Sequence, residues 1–201
     1  MSLFPGDGVL LGEKLGAKLV DMDKVQLHPT GFIDPKDPSN PTKYLAPEAI
    51  RGSGGILVNS DGKRFVNELD LRSVVAKAIQ EKCSSYRKGD YVGPPFAWCI
   101  LAPEAQELFG KASLLFYKDK IGLFQEAADV EEAARIIGCD SEMLMATLSD
   151  YEQACIAEHC ALTQKDTFPS LISDDSTNLI LACVTPSIHY TMGGLSINPG
   201  K

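Results

Sequence analysis

The chain has 201 residues, of which 44 % are hydrophobic and 23 % charged, an ordinary globular composition that excludes extended disorder and allows one sizeable domain, or one plus part of another. Its formal net charge of −8 argues against nucleic acid or an anionic membrane as partner, although a few clustered arginines can still hold a small anion. No run approaches the ~20 consecutive apolar residues of a membrane span, and "MSLFPGDGVL" lacks the basic-then-apolar order of a secretory leader.

The six cysteines are scattered without a C-x-x-C pair and accompany only three histidines, so no metal signature emerges. Reduced thiols fit an intracellular protein, with mitochondrial, glycosomal and cytosolic settings equally open.

The opening stretch, "FPGDGVLLGEKLGAKLVD", spaces Val9, Leu10, Leu15 and Leu19 as a helix, with Asp7 as N-cap. "DKVQLHPTGFIDP" alternates as a strand and is expected to end at His28, before Pro29. Three prolines in "DPKDPSNPTK" mark a surface loop. "GILVNSDGKRFVN" sets two β-prone runs around Asp61-Gly62 and predicts a hairpin. "SVVAKAIQEKC" has helical spacing, and "FAWCILA" suits a buried strand.

From residue 126 to 163 the pattern is helical. "VEEAARIIG" ends at Gly138, and the next helix is capped by Asp140 or Ser141. "NLILACVTPSIHYTMGGLSIN" closes with two strand-like runs around a proline and a glycine pair. Strands and helices do not alternate as a doubly wound sheet requires, so the fold class is α+β, a mixed sheet with packed helices.

A dinucleotide cradle needs G-x-G-x-x-G between a strand and a helix. Gly6, Gly8 and Gly12 have the wrong spacing, and "GSGG" at 52–55 leads into a strand, where turns and close packing explain the glycines.

Individually, the charged residues are ambiguous. His28 at a strand end is ordinarily structural, with a cleft-facing role as the alternative. Glu48 and Arg51 at i and i+3 read first as a surface ion pair, and Arg72 as a solvated guanidinium. His189 stands beside Gly193 and Gly194, where positive φ and a close backbone approach to a ligand are expected. His159 reads as an ordinary, partly exposed helix residue.

Taken together, "VQLHPTG", "EAIRGSGGILVNSDGKRFVNE", Leu71-Arg72 and "HYTMGGL" occur in this order in flavin-dependent fumarate reductases and their succinate dehydrogenase relatives. The chain resembles that family over roughly residues 5–200, above all its soluble fungal and kinetoplastid branch. The resemblance implies a capping domain at residues 22–175. It also implies a flavin-domain remnant at 1–21 and return strands at 176–201, in a fragment that lacks the dinucleotide turn and does not retain FAD by itself.

The resemblance further implies fumarate and succinate as ligands, and a flavin-binding domain of the same parent chain as partner. It makes His28 and His189 the substrate-carboxylate ligands, Arg72 the proton donor, Glu48 and Arg51 its relay, and Gly193 and Gly194 cofactor neighbours. One departure stands out. Bacterial members often carry a hydroxyl residue where this chain has Pro47. Aspartate oxidases and ketosteroid dehydrogenases share the architecture, and a non-catalytic module of the same fold is the third alternative.

Overall fold

The computed structural model describes residues 6–197 and divides them into two compact units, residues 6–28 with 188–197, and residues 29–187. Mixed helices and antiparallel strands make it an α+β protein, as the sequence pattern predicts. Among the described residues no helix is long and apolar enough to cross a membrane.

In the first unit, α1 (Asp7–Lys14) is shorter than the spacing suggests. Gly16 takes φ 85° and turns the chain out of the helix, so Leu19 lies in β1 (Leu19–Val20). Gly6, with φ 80°, is the N-cap; Asp7 is the first helical residue and makes no side-chain cap bond. Its charge still favours the helix N-terminus. Strand β1 pairs antiparallel with β10 (Gly194–Leu195), Leu19 opposite Leu195.

Two strands, β2 (Val25–Phe32) and β9 (Leu179–Thr191), run through the boundary between the units. The expected stop at His28 is therefore a correction: β2 continues through Pro29. Proline removes one donor, and here the donor is not needed on the β3 (Tyr44–Leu45) edge. Pairing there begins at Thr30, whose carbonyl accepts from the Ala46 amide at 3.0 Å. Pro186 likewise fails to split β9, because the ladder to β7 (Ala97–Leu101) ends at Val184.

The second unit is built on a sheet whose central strands are apolar on both faces. Along β4 (Ile56–Val58), β7 and β9, the alternation divides the side chains cleanly. Leu57, Cys99, Leu101, Ala182 and Val184 face one core, which is closed by α2 (Glu48–Gly52), α3 (Arg72–Lys82) and α4 (Pro103–Phe109) through Ile50, Val75, Ile79 and Phe109. Ile56, Val58, Trp98, Ile100 and Leu181 face the other, closed by α6 (Val130–Ile137) and α7 (Ser141–Ile156) through Ala133, Ile137, Leu144, Leu148 and Tyr151. Each fully buried leucine or isoleucine contributes about 1.5–3 kcal/mol of hydrophobic stabilisation.

Helix ends follow local chemistry. Asp140 accepts from the amides of Glu142 and Met143, and Gly138 closes α6 with φ 82°. At the start of α6 the Asp129 side chain accepts from the Glu132 amide at 2.8 Å, and the Glu132 side chain accepts from the Ala128 amide at 2.8 Å. The turn at Asp61-Gly62 is present, with Gly62 alone at positive φ, and its return strand shrinks to a single bridge between Val58 and Arg64.

A second hairpin, β5 (Ser85–Lys88) and β6 (Tyr91–Pro95), turns at Gly89. Between α4 and β8 (Gln125–Ala127) lie α5 (Lys111–Leu115) and one π-helical turn (Phe116–Ile121).

Candidate active site

The predicted site residues fall into two groups, one in each unit. In the first unit the rings of His28, near the end of its β2 segment, and His189, on β9, lie 5.2 Å apart between centroids with planes inclined at 54°. His28 is buried and His189 exposed, with Tyr190 at 4.7 Å from the His189 ring. Two imidazoles at this spacing can address the oxygens of one carboxylate.

Gly193 and Gly194 require correction. Neither takes positive φ. A side chain on Gly193 would meet the Asp21 carbonyl oxygen at 2.4 Å, so this glycine admits the chain's own backbone. Around Gly194 a Cβ would meet nothing within 4 Å, which leaves it the one of the pair with an open flank. Gly193→Ala is expected to destabilise the first unit by about 1–3 kcal/mol through overpacking, and Gly194→Ala to be nearly neutral. Calorimetry of the two variants separates these outcomes.

In the second unit, Arg72 opens α3 and its Nη2 donates to Glu48 Oε2 at 2.8 Å. The pair is accessible, with side-chain exposures of 30 % and 57 %. Glu48 opens the five-residue helix α2, and Pro47, the N-cap, offers no hydroxyl. Arg51, one turn on, departs from the surface-pair expectation. It is 1 % exposed, and its Nη1 donates to the Glu68 carbonyl.

Among the described residues, Arg51 Nε and Nη2 have no hydrogen-bond partner. Burial lowers its pKa from the ordinary arginine value and the positive charge of Arg72 adds to this, while Glu48 opposes both.

The glycines after α2 are fixed by packing. At Gly54, φ is 107° and a Cβ would fall 1.8 Å from Ser170 Oγ; at Gly55 it would meet the Ile50 carbonyl oxygen at 2.5 Å. The Gly55 amide donates to the Ile50 carbonyl at 3.0 Å, which ties the backbone at the end of α2 to the start of β4.

Behind this lies a buried charge cluster that the sequence reading missed. Glu68 is fully buried. Its carboxylate accepts from Arg64 Nε and Nη2 at 2.9 Å each, from Lys165 Nζ at 2.9 Å and from the Leu57 amide at 3.2 Å. Lys165 is itself fully buried, reaches the Tyr151 hydroxyl at 3.3 Å and lies over the Tyr151 and Phe168 rings.

Burial pushes the Glu68 carboxyl upward, but the Lys165 and Arg64 charges win and hold it below the usual glutamate value. Arg64, desolvated by the same burial, is driven above the ordinary arginine value by Glu68. The i, i+4 spacing of Arg64 and Glu68 was a visible signal; nothing in sequence pointed to Lys165.

Comparison with known proteins gives this geometry a context. Residues 4–200 match the FAD binding domain family. The chain is 34 % identical over 193 residues to a protein from Schizosaccharomyces pombe named fumarate reductase, covering 96 % of the chain and 35 % of that protein. It is 36 % identical over 199 residues to fumarate reductase 1 of Saccharomyces cerevisiae, covering 96 % and 40 %.

Among solved structures, the open conformation of a flavocytochrome c3 fumarate reductase aligns with TM-score 0.66 at 32 % identity, over 96 % of this chain and 30 % of that one. The chain thus spans between a third and two fifths of the length of these two curated relatives.

Proposed function

Because the chain belongs to the FAD binding domain family, we propose that it is the substrate-closing part of a fumarate reductase and works with a flavin-binding domain to reduce fumarate to succinate. In this reading residues 22–175 form the cap, His28 and His189 address a substrate carboxylate, and Arg72 with Glu48 and Arg51 serves the proton step. The observation that carries it is the accessible Arg72–Glu48 pair at 2.8 Å with the buried guanidinium of Arg51 on the same short helix as Glu48.

FAD is the cofactor of the family. Gly194, with its open flank, suits one side of a flat ring, whereas Gly12 is filled by Leu195 and Gly193 by backbone. The described residues therefore offer FAD a wall, and the grip on its phosphates falls to the partner domain. When bound and reduced, FAD supplies a hydride to one alkene carbon.

The chain's own residues do the rest. Fumarate is a dianion, and His28 and His189 bind carboxylate oxygens as hydrogen-bond donors. Hydride addition builds negative charge on the second alkene carbon, to which Arg72 gives a proton from its guanidinium. Hydride plus proton account for the two hydrogens gained by succinate.

An arginine is a poor acid, because its guanidinium keeps its proton far above neutral pH, and two things make the step feasible. Its partner is a developing carbanion, a far stronger base than any side chain. Glu48, already hydrogen-bonded to Arg72, relays a proton back to it from Arg51, and Arg51 regains its own proton from solvent, so the relay is complete after each turnover. The same positive groups stabilise the developing charge, which contributes more to rate than the transfer itself.

Grafting the chain in place of the matching segment of the fission-yeast enzyme tests this. The chimera is expected to purify yellow and to oxidise reduced viologen when fumarate is added. A chimera that holds flavin yet leaves fumarate untouched ends the proposal. The 201-residue chain alone is expected to show no stoichiometric flavin absorbance.

A further inference from the structure

We propose that Glu68 and Lys165 are positioning residues for Arg51, a role that rests on the fumarate-reducing reading above. Arg51 receives its hydrogen-bonded anchor, the Glu68 carbonyl, from a segment without regular structure. Residues 65–71 follow the single bridge at Arg64 and precede α3; the Phe65 carbonyl accepts from Lys82 Nζ at 3.1 Å, Val66 packs in the core, and a turn at Asn67 brings the Asp70 amide to the Asn67 carbonyl at 3.1 Å. No ladder sets where the Glu68 carbonyl points.

The Glu68 side chain does. Its carboxylate is tied to β4 through the Leu57 amide, to Arg64 by two parallel bonds, and to Lys165 across 97 residues of chain. Lys165 is in turn fixed by Tyr151 on α7 and by Phe168. A guanidinium with two unpartnered nitrogens and one hydrogen-bonded anchor would otherwise be free to shift relative to Glu48. Stability alone is a weak reason for such a cluster, since well-packed apolar residues replace buried ion groups at little or no cost in many proteins. Fixing one carbonyl is a function that apolar residues would not supply.

The test uses Lys165→Met, which touches neither Arg51 nor Arg72, with Lys165→Arg as the charge-preserving control. In the chain labelled with 15N-arginine, the Arg51 Nε–H signal, assigned by its loss in Arg51→Lys, is expected to exchange about tenfold faster in Lys165→Met and to recover in Lys165→Arg. In the flavin-loaded chimera, kcat per bound flavin is expected to fall by about 10²-fold in Lys165→Met, with KM for fumarate held within about twofold and the loss largely rescued by Lys165→Arg.

A folded Lys165→Met chain with an unmoved Arg51 signal overturns the proposal. So does a faster signal with unchanged kcat. Should Lys165→Met not fold, Tyr151→Phe removes the 3.3 Å hydroxyl contact to Lys165 together with the hydroxyl's bond to Cys155, and the same two readouts decide. An inactive wild-type chimera counts against the fumarate reading alone, because the exchange measurement needs no turnover.

Discussion

Replacing Arg72 by lysine is expected to lower fumarate turnover by about three orders of magnitude, the middle of the range for a lost general acid. Flavin content should be unchanged. Lysine keeps the charge but presents a compact ammonium in place of a planar fork, so the 2.8 Å contact to Glu48 and the aim at substrate cannot both be kept. Arg72 is partly exposed and opens α3 without filling a core, so folding should survive the change. Rapid-reaction oxidation of pre-reduced flavin by fumarate isolates the step. Normal oxidation in this variant removes Arg72 from the mechanism.

Glu68→Ala has the largest expected effect on stability, a loss of about 3–5 kcal/mol, because it leaves the buried Arg64 and Lys165 without their counter-ion. Urea unfolding at neutral pH measures it. The same cluster fixes the acid response. The folded-state pKa of Glu68 lies below its ordinary value near 4.5, so its contribution is fully present above that value and disappears as pH falls through the depressed one. Wild-type stability should therefore decline on acidification below about pH 4.5, more steeply than in Glu68→Gln, which has no such carboxyl to protonate. Parallel acid limbs in the two proteins would contradict this assignment.

Much of the fold was legible because the local signals agreed with the tertiary outcome. Asp140, Gly138 and Gly62 act as their residue types suggest, and the apolar runs at 97–101 and 179–184 form the double-faced sheet. Prolines misled the reading. Pro29 and Pro186 lie where the neighbouring ladder does not demand a donor, and that depends on the register of partners distant in sequence.

The hairpin at 85–95 was overlooked because its prolines and charges mask the Gly89-Asp90 turn. At the site, the Glu48–Arg72 contact spans 24 residues and the Glu68–Lys165 contact 97, beyond any periodicity. The spacing of a single helical turn does not reveal which face is buried, so Glu48 and Arg51 read alike in the sequence although only Arg51 is enclosed. The glycine pair at 193–194 suggests conformational freedom in sequence, whereas what decides Gly193 is the space taken by Asp21.

Residues 29–187 start and finish as near neighbours: a Cβ on Gly31 would fall 2.6 Å from Ser187 Oγ, and the Ile33 amide donates to the Cys183 carbonyl at 2.9 Å. A segment whose two loose ends emerge side by side can be spliced into a host polypeptide through a gap hardly wider than a tight turn. It can equally be closed on itself and reopened at an exposed loop such as 34–43. Genetic transplantation of such a block disturbs its recipient little, which offers evolution a ready means of re-tailoring what an oxidoreductase admits while leaving the electron-carrying scaffold alone.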